Sequence, residues 1–135
     1  MGKRNPPLLP FNKKNLLRVQ RTIVKNLTID LLPKKWITEN LQNPRFGHCH
    51  NAAGCLYKIF SSNSVHMYRA LDKANIWHWW VQDKDGNIID PTADQYKLRE
   101  VKILYKKGEK ASLLGFDYKK RVNTLLSRVR NDLKI

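Results

Sequence analysis

The stretch IWHWWVQDKDGNIIDPTADQY, residues 76–96, decides how this chain reads. IWHWWVQ is dense in aromatic and β-branched residues, DKDG is turn chemistry, and NIID resumes the extended pattern, so the segment predicts a β-hairpin. On a strand, Trp77, Trp79 and Val81 point one way, and His78 and Trp80 the other. A histidine set among tryptophans has a fixed position and little water around it. Asp90, at the end of the second arm, falls close to opposite His78, where a carboxylate holds an imidazole in one tautomer.

Such a pair needs a nucleophile, and upstream lies FGHCHNAAGCLYKIF, residues 46–60. Asn43, Pro44 and Gly47 mark a loop, and residues 49–60 then read as a buried helix with Ala52, Cys55, Leu56 and Ile59 on its apolar stripe. Cys49 opens that helix, where partial positive charge and free N–H groups favour a thiolate. Cys55, six residues on, turns to another face and reads as a small core hydrophobe. The Asn43 amide is a candidate second donor, beside the Cys49 N–H, for an oxyanion. His48, Cys49, His50 and Cys55, with His66 and His78 further along, also raise a zinc site. The spacing opposes it, because structural zinc sites pair ligands two to four residues apart and repeat the pair downstream. No metal or other cofactor is therefore expected, and His48 and His50 remain loop or helix-edge residues able to favour a Cys49 thiolate.

The rest of the chain supplies the layers. NPPLLP reads as part of an extended N-terminal arm over residues 1–12. Leu16, Val19, Ile23, Val24 and Leu27 then place one apolar face on a helix over 13–27, with Lys and Arg opposite. Thr28 and Asp30 suggest a new cap, and KKWITEN a short turn or helix after Pro33. VHMYRALDK is ambiguous between helix and strand, while REVKILY, residues 99–105, alternates Val101, Ile103 and Tyr105 as a third candidate strand. Val122, Leu125, Leu126, Val129 and Leu133 mark a C-terminal helix with a basic outer face. Helices and strands are segregated along the chain, which is an α+β pattern: a central cysteine-bearing helix on a small antiparallel sheet, flanked by basic N- and C-terminal helices. With 135 residues, 41% of them hydrophobic, a single domain over 1–135 is expected.

GHC at a helix start followed by HWWVQDKDGNIIDPTADQY resembles the papain-like and transglutaminase-like cysteine superfamily. The nearer likeness is to small bacterial and phage proteins that share an NP-x-x-GHC segment, an HWW-like strand and DPTADQ. It extends to LTIDLLPKKW and to KKGEKASLLGFDYKKRV, and so covers most of residues 27–130. The resemblance implies a papain-like core with Cys49 as nucleophile, His78 as base, Asp90 as its orienter and Gln95 as a supporting polar residue. Asn43 stands where papain-like enzymes place a glutamine. The superfamily spans peptidases, amidases, isopeptidases, acyltransferases and inactive relatives, so it implies a cysteine hydrolase or acyltransferase without naming the substrate. A peptide or protein substrate fits it, and so does a cytoplasmic setting in a bacterium or a phage-infected cell.

Charge opens a second reading. The net charge is +15, and it is uneven: residues 1–48 carry ten Lys and Arg against two acids, residues 97–135 twelve against four, and residues 49–96 four against five. Basic flanks of this kind attract nucleic acid or acidic proteins, with Lys119, Lys120, Arg121, Arg128 and Arg130 as candidate phosphate contacts. On that reading the core is a scaffold for a binding module. A further alternative is an interaction protein whose site is vestigial. No apolar run reaches the roughly 20 residues of a membrane span, and MGKRNPPLLPFNKKN lacks the apolar core of a secretory signal. Two cysteines six residues apart fit free thiols in a reducing compartment.

Overall fold

A computed structural model describes residues 6–135. The chain is α+β, with five helices and a four-stranded antiparallel sheet among the described residues. Helix α1 (Lys13–Lys25) is capped by the Asn12 side chain, which accepts from the Asn15 N–H at 2.8 Å, and it buries Val19 and Ile23. A 3₁₀ turn, Ile29–Leu31, follows Thr28, and Pro33 precedes α2 (Lys34–Gln42), where its fixed φ and missing N–H cost nothing. Residues 1–5 of the expected N-terminal arm lie outside the described residues. Its remainder is docked rather than free: the Leu8 N–H donates to the Ile59 carbonyl at 2.7 Å, and Phe11 packs edge-on against Phe60.

Helix α3 (Cys49–Phe60) is the axis of the core. Ten of its twelve residues are buried, from Cys49 through Leu56 and then Ile59 and Phe60. It touches strands β1 (Val65–Leu71) and β2 (Trp77–Asp83) as well as α1 and the C-terminal helix, and so joins the sheet to the helical layer. The ambiguous VHMYRALDK segment is β1, a central strand that buries Val65, Met67 and Ala70. β2 pairs with it from Val65↔Asp83 to Leu71↔Trp77. Strand β3 (Ile88–Ile89) closes the hairpin at Val81↔Ile89, and the Asp83 carboxylate binds the Asp85 and Asn87 N–H groups across the turn at 2.9 Å each.

The expected strand over 99–105 is not formed. Helix α4 (Gln95–Arg99) ends at Glu100 in the left-handed region (φ 55°), residues 101–104 run without a ladder, and Tyr105–Lys107 make a 3₁₀ turn. The outer edge of β1 is taken instead by β4 (Glu109–Lys110), giving the order β3-β2-β1-β4. Alternation over so few residues does not specify a strand when its would-be partner edge is filled by a segment a few positions later.

Helix α5 (Phe116–Leu133) buries Val122, Leu125, Val129 and Leu133 and crosses α3 at Gly54. A Cβ on Gly54 would lie 2.8 Å from Val122 Cγ2 and 2.9 Å from Leu113 Cδ2. Gly54→Val is therefore expected to force the helices apart at a cost of about 1–3 kcal/mol. Urea unfolding followed by circular dichroism measures it, and an unchanged midpoint would contradict so close a crossing.

Candidate active site

Cys49 is the first residue of α3. The loop before it is held from behind: the buried Asn40 amide donates to the Pro44 carbonyl at 2.9 Å and to the Phe46 carbonyl at 2.8 Å. Gly47 then turns the chain at φ 82°, and a Cβ there would meet Leu32 Cδ2 at 2.9 Å and Trp36 Cβ at 3.3 Å, so both conformation and space require glycine. No acid occupies the first turn of α3, which leaves the positive end of the helix uncompensated at the thiol. Cys49 is 9% exposed, and its Sγ makes a long contact, 3.8 Å, to the Trp77 carbonyl.

His78 and Asp90 meet beside it. His78 Nε2 lies 2.6 Å from Asp90 Oδ2, with both side chains almost wholly buried. Continuing the ladder would set Asp90 opposite Trp80, so the contact is a diagonal on one face of the sheet rather than a directly facing pair. Nε2–H donation to the carboxylate leaves Nδ1 with the lone pair of the neutral ring, and Nδ1 has no hydrogen-bond partner. The Asp90 carboxylate is itself fixed. Oδ2 also accepts from the Tyr105 hydroxyl at 2.6 Å, and Oδ1 from the Thr92 N–H and hydroxyl at 3.3 and 3.4 Å. Trp80 stacks on the imidazole at 5.8 Å, and Tyr96 meets it edge-on at 4.8 Å.

Burial opposes a charge on His78, but the Asp90 hydrogen bond and the adjacent Cys49 thiol outweigh it and raise the pKa from 6.5 to about 9. Burial lowers His48 and His50 to about 4, so both are uncharged at neutral pH and lend the thiol no positive charge, contrary to the sequence expectation. His48 Nδ1 pairs with Asn51, the His50 Nε2 accepts from the Leu114 N–H, and Cys55 is fully buried with its thiol pKa pushed up by desolvation. His66 lies on β1 beside a separate hollow. Among the described residues no group of three or more His, Cys, Asp or Glu is arranged to hold a metal ion.

Asn43 does not take the expected place. Its amide donates to the Gln95 carbonyl at 2.8 Å and it lines a hollow with Arg45 and Asp94, whereas the amide residues lining the cysteine cavity are Gln95, whose Nε2 donates to Thr92 Oγ1 at 3.3 Å, and Asn75. The five basic residues of α5 also separate. Arg128 binds Asp30 at 2.5 Å and Thr28 at 2.8 Å, tying α5 to the turn after α1, and holds the Asp30 carboxyl down at about 2. Arg130 donates to the Ile135 carbonyl, Arg121 lies over Tyr118, and Lys119 and Lys120 line an open polar hollow.

Sequence reasoning missed Tyr105, Tyr96 and the buried pair Asp72–Arg99. Asp72 Oδ2 accepts from Arg99 and from the Tyr96 hydroxyl at 2.9 Å each, while Oδ1 caps the Ala74 and Ile76 N–H groups. This fixes the approach to β2 and, through Tyr96, one wall around His78. The Asp-x-x-Asn turn at 72–75 was a local signal for Asp72; nothing local pointed to its partners.

No protein-family model matches the chain, and neither curated proteins nor solved structures yield a match to it. No helix among the described residues is long and apolar enough to cross a membrane.

The folded pKa of His78 lies above the unfolded one, so the stability its charge contributes is complete below about pH 6.5 and is lost as the pH rises through about 9. In Asp90→Asn the leading raising contribution is gone and burial draws the ring's pKa down. The stability advantage of the wild type in urea unfolding should be greatest near pH 6 and shrink by about pH 10. A pH-independent advantage would contradict the coupling.

Proposed function

We propose that this protein is a cysteine hydrolase or acyltransferase on a papain-like core, acting on an amide, isopeptide, ester or thioester carbonyl. The observation that carries the reading is the state of His78. One ring nitrogen is anchored to a buried carboxylate at 2.6 Å, and the other is partnerless beside a thiol at the start of a buried helix.

In this mechanism the raised pKa of His78 keeps the proton of the Cys49 thiol on Nδ1, and the imidazolium is held by Asp90 beside the thiolate. The Sγ lone pair forms a C–S bond to the carbonyl carbon, and the π pair moves to oxygen. The Cys49 N–H at the helix start and the Gln95 amide are the donors for that oxygen. As the carbonyl re-forms, the bond to the leaving nitrogen, oxygen or sulfur breaks with its electron pair, and His78 returns the proton to that atom. The acyl-enzyme then passes to water or to an amine, with His78 again taking the incoming proton. Tyr105 and Thr92 act through Asp90, as positioning residues.

Iodoacetamide at about pH 6 is the direct test. Cys49 is expected to alkylate at least about tenfold faster than a free cysteine in the same buffer, and His78→Ala to remove the difference. Equal rates, or a rate unchanged in His78→Ala, would sink the proposal. Intact mass after incubation with a cell extract, wild type against Cys49→Ala, would identify the acyl group from a trapped adduct.

The net charge of +15 and the exposed Lys119 and Lys120, beside a hollow shared with Asn123, Thr124 and Ser127, favour a second reading: a basic module for nucleic acid or acidic protein on the same scaffold. It predicts salt-dependent retention on immobilised DNA or RNA that Cys49→Ala preserves and Lys119→Glu with Lys120→Glu weakens. No retention at low salt would dismiss it.

A further inference from the structure

The cavity onto which Cys49 opens has a composition of its own. It is about 290 Å³ and six of its lining residues are aromatic: Trp36, Phe46, Trp77, Trp79, Tyr96 and Tyr118. They come from separate parts of the chain, Trp36 on α2, Phe46 from the loop before α3, Trp77 and Trp79 on β2, Tyr96 on α4 and Tyr118 on α5. A volume at the lower end of ligand pockets admits one side chain or a compact acyl group and no extended ligand. Trp77 is 41% exposed although it follows a fully ordered hairpin pattern, and a large aromatic left at the mouth of a pocket is unexplained by the core.

Charge at this mouth is one-sided. Among the described residues neither Asp nor Glu lines the cavity, whereas the exposed Lys35 does, with its ammonium 4.9 Å from the Trp36 ring centre. The Arg69 guanidinium lies 4.2 Å from the Trp77 ring centre, although it is also paired with Glu109. The two tryptophans thus each carry a cation on one face.

One wall of the cavity is a buried histidine. The Leu114 N–H donates to His50 Nε2 at 3.1 Å, so that nitrogen bears no hydrogen and the ring proton is on Nδ1. His50 lines the cavity between Trp79 and Tyr118, is 5% exposed, and its Nδ1 has no partner. Its Nδ1–H is enclosed within that wall, and what the cavity offers a ligand is its rings and the Lys35 ammonium.

We propose that the group recognised beside Cys49 is the acyl part of a peptide segment whose aromatic side chain fills this cavity and which carries a carboxylate within reach of Lys35. This rests on the reading of Cys49 as a nucleophile and adds the substrate class to it.

Three chloromethyl ketones test it, acetyl-Glu-Phe, acetyl-Glu-Ala and acetyl-Lys-Phe, in each of which the Cys49 thiolate displaces chloride to form a thioether. Labelling of Cys49 is followed by intact mass, and each rate is divided by the iodoacetamide rate of the same sample. The Glu-Phe reagent should label at least about tenfold faster than Glu-Ala, because a buried aromatic ring is worth at least that factor. It should also outpace Lys-Phe by a margin that narrows in high salt. Trp36→Ala should remove most of the Phe advantage, and Lys35→Glu should reverse the order of Glu-Phe and Lys-Phe. Equal normalised rates for Glu-Phe and Glu-Ala, with rapid iodoacetamide labelling, would overturn the aromatic substrate class and leave the activated thiol standing. Slow labelling by iodoacetamide as well would overturn both.

Discussion

The Asp90 carboxylate is the point on which the site depends. It sits just beyond the last ladder pair of the hairpin, and it gathers His78 from β2, Tyr105 from the turn before β4 and Thr92 from the turn before α4. A carboxylate this deeply buried is stable only if its oxygens are satisfied, and here four donors satisfy them. The consequence for His78 is orientation: with Nε2 committed to Asp90, Nδ1 is the nitrogen left to exchange a proton. The same bond keeps a nearly waterless imidazole able to carry charge, because desolvation alone would hold it neutral, as it does His48 and His50.

A second buried carboxylate does comparable work one step away. Asp72 joins Arg99, Tyr96 and the turn leading into β2, and Arg99 also lies over the rings of Tyr96 and Phe46. Breaking a buried pair of this kind costs about 3–5 kcal/mol, since the remaining charge is left without compensation. The walls around His78 and Cys49 are therefore tied by charged anchors to α4 and to the loop before α3. The close approach of α5 to α3 at Gly54 secures the other side of the same helix.

Some of this was legible in the residues. Gly47 followed by Cys49 and an apolar stripe signalled a loop turning into a buried helix, and aromatic density around DKDG signalled the hairpin; both are local patterns with a local cause. The Asp90 register was legible only approximately: the hairpin puts it close to opposite His78, and the ladder makes the contact a diagonal one. Tyr105 was read as part of a strand over 99–105, because alternation is local and the competition for the β1 edge is not. Asn43 fell outside the cysteine cavity and Gln95 inside it for the same reason: which amide lines a cavity depends on how α4 packs, with Gln95 52 residues from Asn43.

By itself the sequence determined the periodicities and the turns, and with them the α+β layering, the helix that begins at Cys49 and the alternation that puts His78 and Trp80 on one face of β2. Tertiary structure alone decided the chemical state of each group. Whether a histidine is charged, which of its nitrogens is open, and whether an arginine is a surface cation or a strut such as Arg128 all depend on desolvation and on partners distant in the chain. Those are properties of the packed neighbourhood, and no stretch of residues carries its neighbourhood with it.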